Sequence, residues 1–69
     1  MEISTLLEGE SAVVKSCDHK RLAEHGFVPE TAVYIYKKIP GITVVYVRGG
    51  IIACRDYELA NVKLREREL

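Results

Sequence analysis

The sequence predicts a mainly β domain, a small, partly open β-barrel of about five strands with one short α-helix after the first strand. Three observations point there. Short runs of alternating β-branched and aromatic residues are separated by glycine-bearing turns. A single segment, between Asp18 and Gly26, carries helix start and stop signals. At 69 residues the chain forms one domain, 1–69, with a thin core. Closing the sheet on itself encloses the apolar residues and removes exposed edges.

Ile3, Leu6 and Leu7 precede Glu8-Gly9-Glu10, which reads as a short docked segment ending in a glycine turn. The first strand runs from about Glu10 to Cys17. Ala12 and Val14 share one of its faces, Ser11 and Val13 the other, so periodicity leaves the inward face open. Asp18 is expected to cap a helix from His19 to His25. Gly26 ends that helix in the left-handed region, Phe27 falls where it can pack back on Leu22, and Pro29 prevents resumption.

Val33 and Ile35 alternate with Tyr34 and Tyr36, and Val45 and Val47 with Tyr46, so two strands flank Pro40-Gly41 as an antiparallel hairpin. A three-residue connection, Pro40 to Ile42, would set Tyr36 directly opposite Tyr46. Arg48-Gly49-Gly50 supplies a second tight turn, the glycine pair tolerating positive φ, before a strand from Ile51 to Arg55. Asp56 to Ala60 suggests one helical turn. Asn61 is expected to leave it in a left-handed conformation, with Val62 to Leu64 as the last strand and Arg65 to Leu69 as a solvated, frayed tail.

Ten basic and ten acidic residues balance, with a pI near 6.7, and no segment forms a basic stripe without nearby acids. That argues against nucleic-acid binding, which draws its affinity from clustered cations. No run reaches the ~18 apolar residues needed to span a bilayer. Met1 leads into Glu2-Ile3-Ser4 without a basic region and apolar run, so the expectation is a soluble, cytoplasmic chain. Cys17 and Cys54 are too few for a disulfide framework and are expected to be reduced, buried thiols. Ser4, Thr5, Ser11 and Ser16 belong to no nucleophile motif and no phosphate loop occurs, so the chain reads as a binding module and not an enzyme.

Cys17, His19 and His25 are the candidate metal ligands, of a type that suits zinc or ferrous iron. Their spacing is poor: on a helix His19 and His25 point about 240° apart, and Cys54 would have to join from another strand. If the valines and Ile35 face inward, Tyr34, Tyr36 and Tyr46 form an outward patch suited to a partner or to self-association. Lys20, Arg21 and Glu24 lie opposite Leu22 on the helix, where the two cations could steer an acidic partner. Arg48 marks the glycine turn, and Arg55 and Glu58 are spaced to pair across one helical turn.

The order of these features resembles the FeoA family. Its opening is matched by Ile3, Leu6 and Gly9, and its helix exit by Leu22 through Gly26-Phe27-Val28-Pro29. The most specific segment is Arg48-Gly49, Ile52-Ala53, Arg55, Glu58, Val62 and Leu64. Glu30 stands where the family usually has glycine after its proline, His25 replaces a large aliphatic and Leu59 a common alanine. The Pro40-Gly41 connection is shorter than usual. The resemblance implies an SH3-like barrel acting as a non-enzymatic accessory of ferrous iron uptake. Its partner would be the cytosolic part of FeoB, the membrane ferrous iron transporter, holding the chain peripherally at the inner membrane. The alternatives are a general SH3-like protein-interaction module and a small Fe2+ or Zn2+ carrier using Cys17 and His19.

Overall fold

Alternating β-branched and aromatic side chains give five strands in the computed structural model, which describes residues 2–65. They are β1 (Ser11–Cys17), β2 (Ala32–Ile39), β3 (Ile42–Val47), β4 (Gly50–Arg55) and β5 (Val62–Leu64). All neighbouring strands are antiparallel, in the order β4-β3-β2-β1-β5. A 3-10 turn (Ile3–Thr5) precedes β1, helix α1 (Lys20–Glu24) follows it, and helix α2 (Asp56–Leu59) joins β4 to β5.

The sheet curls around one face. A flat five-stranded sheet would hold its edge strands about 19 Å apart. Here Val14, Val33, Ile35, Val45, Val47, Ile52, Cys54, Val62 and Leu64, drawn from all five strands, share one core. The molecule measures 29 × 24 × 22 Å. Ile3 and Leu6 from the opening segment, Leu22 and Phe27 from around α1, and Leu59 from α2 fill the remaining space. Val14 is fully buried and Ala12 packs on the core, which settles the inward face of β1.

The helix exit is as the sequence predicts. Gly26 has φ +114°, Phe27 and Leu22 are both fully buried, and the Phe27 N–H donates to the Leu22 carbonyl at 3.0 Å. Its entry differs. The cap position is His19, with no side-chain cap bond, and Asp18 does not cap. The Asp18 N–H donates instead to the Asn61 carbonyl, which ties the end of β1 to the start of β5.

Three other local readings change for physical reasons. Arg48 (φ +50°) and Gly49 (φ +81°) occupy the β3–β4 turn, while Gly50 begins β4. Two successive positive φ values are what a type I′ hairpin demands, so the strained residue is an arginine and not a second glycine. Asn61 is not left-handed among the described residues with positive φ; its amide donates to the Tyr57 and Glu58 carbonyls and closes α2 that way. Glu30 has φ +73°, so it fills a left-handed position where glycine would be unstrained. The expected frayed tail is in part docked, because the Arg65 N–H donates to the Val13 carbonyl at 2.8 Å and its guanidinium pairs with Glu30. The rest of that tail, 66–69, lies outside the described residues.

Candidate partner-binding surface

Register decides which outward side chains meet. Ile39 pairs with Ile42, so the β2–β3 connection is the two residues Pro40 and Gly41, shorter than expected. A bulge between Ile35 and Lys37 then shifts the pairing, and Tyr46 lies opposite Tyr34, not Tyr36. On the other side Tyr46 pairs with Ile51. Tyr34, Tyr46 and Ile51 therefore form one row across β2, β3 and β4, 43%, 46% and 59% exposed. Tyr36, at the bulge, is also exposed, and Val44 and Ala53 pair one step further along the same face.

The row is apolar and wet at once. Cross-strand aromatic pairs contribute about 0.2–1 kcal/mol each, so folding gains little by placing three large apolar groups there. Contiguous exposed apolar surface rimmed by polar residues is the signature of a contact site. Neither Ile51 nor Ala53 was singled out from the sequence as part of this outward surface. The signal was present, since a two-residue turn at Arg48-Gly49 puts Ile51 opposite Tyr46.

Arg48 stands in the β3–β4 turn, just past the Val47–Gly50 pair that follows the row. Its aliphatic stem lies over Gly26: a Cβ there would meet Arg48 Cδ at 2.5 Å and Cγ at 2.9 Å. The missing side chain of Gly26 thus seats the arginine, and its guanidinium has no acidic partner among the described residues. Lys20, the first residue of α1, is exposed and likewise has no acidic partner among the described residues.

Arg21 is already committed. Its Nη1 donates to Glu58 Oε2 at 2.7 Å, linking α1 to α2 across the core. Glu58 is buried, and its other oxygen accepts the Arg55 backbone N–H at 2.9 Å. The Arg55 N–H, together with the charges of Arg21 and His19, holds the Glu58 carboxyl below the usual carboxylate range against its burial. The predicted Arg55–Glu58 ion pair is therefore a backbone bond, and the cation Glu58 faces is Arg21.

The metal candidates do not assemble. The Cys17 thiol donates to the His19 carbonyl at 3.5 Å, while His19 Nε2 faces Glu58 Oε2 at 3.7 Å. His25 lies exposed at the far end of α1. Burial, then the Glu58 carboxylate, pushes the Cys54 thiol up to about 11, which disfavours the thiolate a metal needs. Both thiols are free, and Cys17 is half-buried, not buried as expected. His19 Nδ1 is buried without a hydrogen-bond partner, a single donor atom. Among the described residues no three His, Cys, Asp or Glu side chains are grouped to hold a metal ion, and no helix is long and apolar enough to cross a membrane.

Comparison with known proteins agrees with this architecture. The family model of the FeoA domain matches residues 1–66. The crystal structure of FeoA from Stenotrophomonas maltophilia superposes with a TM-score of 0.83 at 30% identity, covering 94% of this chain and 89% of that one. That protein was crystallised with zinc. It is described as a prokaryotic SH3 domain protein and a candidate activating factor for bacterial ferrous iron transport. No curated protein sequence matches the chain.

Proposed function

Because the chain belongs to the FeoA family, we propose that it is a non-enzymatic accessory of ferrous iron uptake that docks on the cytosolic part of a FeoB-type transporter. The observation that carries the docking surface is the exposed row of Tyr34, Tyr46 and Ile51, held in register by three strands. Tyrosine buries a large area at low entropic cost, which is why it dominates contact hot spots. Arg48, in the turn next to the row, and Lys20, on α1, add exposed cations unpaired among the described residues, suited to steering toward an acidic surface. The chain works in the cytoplasm on this reading, reaching the membrane only through its partner.

The reading is tested by calorimetric titration of the protein into the purified cytosolic region of a FeoB transporter. Saturable binding that a Tyr34→Ser/Tyr46→Ser variant lacks, with its fold intact, is the expected result. Unchanged affinity in that variant removes the tyrosine row from the interface, and absence of wild-type binding removes the partner. Among the described residues no donor set is grouped to hold a metal, and on this reading ferrous iron enters as the transporter's cargo.

A further inference from the structure

The bulge in β2 has an inward consequence at the opposite end of the hairpin. Strict alternation after Val33 and Ile35 would turn Lys37 toward the core; the extra residue leaves Lys37 exposed and draws Lys38 inward. Lys38 pairs with Thr43, the only polar member of the inward series Thr43, Val45, Val47. Both line a cavity of about 270 Å³ between the opening segment, the hairpin tip and α2, with Glu2, Ser4, Ile39, Asp56 and Leu59 among its walls.

The chemistry of the lining is asymmetric. The Lys38 ammonium is directed at the Leu6 and Ser4 carbonyls, at 2.7 and 3.2 Å, so its charge serves to fasten the opening segment. Asp56 has no cationic partner among the described residues. Among the described residues the Glu2 carboxylate is held only by an exposed contact with Lys63 at 3.4 Å, of a kind contributing at most ~1 kcal/mol. Thr43 is only 3% exposed, and its hydroxyl, which makes no side-chain hydrogen bond among the described residues, opens on the cavity. A valine would fill the same volume, and the hydroxyl instead puts a donor and acceptor on the cavity wall, available to a polar guest.

We propose that this cavity receives an arginine side chain from a partner protein. Its alkyl stem packs on Ile39 and Leu59, and its guanidinium donates to the Thr43 hydroxyl and the Asp56 and Glu2 carboxylates. The volume sits just below the roughly 300 Å³ where drug-sized ligand sites begin, which suits one long side chain. Guanidinium supplies five donors in a planar fork, matching a set of acceptors that are two carboxylates and a hydroxyl. The proposal rests on the reading of the chain as a protein-binding accessory only for the source of that arginine.

The test is a two-dimensional NMR titration with acetyl-Gly-Arg-Gly-amide, its citrulline counterpart and agmatine. The expected result is saturable shifts at Gly41, Thr43, Asp56 and Ala60, with the citrulline peptide about tenfold weaker or more, because it lacks the charge. Thr43→Val, which conserves shape, should weaken the arginine peptide by about 3–10-fold. Asp56→Asn, at an exposed position that spares the fold, should weaken it by about tenfold. Equal binding of the citrulline peptide, shifts elsewhere, no shifts, or indifference to Asp56→Asn would overturn the site. Agmatine binding tighter than the peptide would overturn the assignment to a partner's side chain in favour of a free amine. None of these outcomes depends on the transporter titration, so the two readings fail separately.

Discussion

Strands β2, β3 and β4 carry apolar side chains on both faces, and the two faces meet different fates. On the inner face Val33, Ile35, Val45, Val47, Ile52 and Cys54 are at most 7% exposed, sealed by residues from every other element. On the outer face Tyr34, Tyr36, Tyr46 and Ile51 are 43–59% exposed. Hydrophobicity alone does not separate these faces. What separates them is curvature: only the concave side can be filled by a chain this short, and the convex side is left for something else.

Truncation should break that comparison first on neighbouring residues of β2. Ile35→Ala removes fully buried volume and is expected to cost about 2–5 kcal/mol, enough to unfold much of a domain this small at ambient temperature. Tyr34→Ser, one residue away, should cost no more than about 1 kcal/mol. Urea denaturation of both variants checks this, and equal losses would mean the outer row is structural after all.

The next effect is at the helix exit. Gly26→Ala places a Cβ against Arg48 at a φ of +114° and should cost about 1–3 kcal/mol. Thermal unfolding reads the loss. Releasing Arg48 should also restore part of the stability in Gly26→Ala/Arg48→Ala, since the clash is with that side chain. A smaller change of opposite sign is expected at Glu30. Glu30→Gly relieves left-handed strain and should gain roughly 0.5 kcal/mol after the loss of the Arg65 contact and the added chain entropy of glycine.

The smallest effect is a pH dependence joining α1 to α2. Glu58 is held below its ordinary value in the folded chain, so its contribution is complete above the unfolded carboxylate pKa and is lost as pH falls through the folded value. Wild-type stability should therefore fall on acidification below the ordinary glutamate range, and Glu58→Gln should flatten that part of the curve. A variant with an unaltered acid slope would show that Arg21 and the Arg55 N–H do not stabilise the carboxylate.

Much of the fold was legible because its signals are local. Gly26, Phe27 and Pro29 mark a helix exit whatever surrounds them, and the alternation of Val33 to Tyr36 identifies an inward and an outward face without any partner strand. The tyrosines were placed on the correct face for the same reason. Their mutual contact was misjudged, since the connection is one residue shorter than expected and a bulge, a two-strand property, adds a second one-residue slip, together moving Tyr46 from Tyr36 to Tyr34. Arg48 offers a similar lesson: glycine at 49 and 50 suggested where positive φ would fall, yet the turn's twist assigned it to 48 and 49.

By itself the sequence determined the strand and helix order, the inward valines, the outward tyrosines and membership of a family whose motifs run almost end to end. Those depend on periodicity and turn chemistry, which act over a few residues. Only the tertiary structure decided that Arg21 belongs to Glu58, 37 positions away, that Cys17, His19 and His25 do not converge, and that Lys38 and Thr43 open a cavity against the start of the chain. Each of those is a distance between remote segments, fixed by how the sheet curls and where its register slips, and no local pattern encodes either.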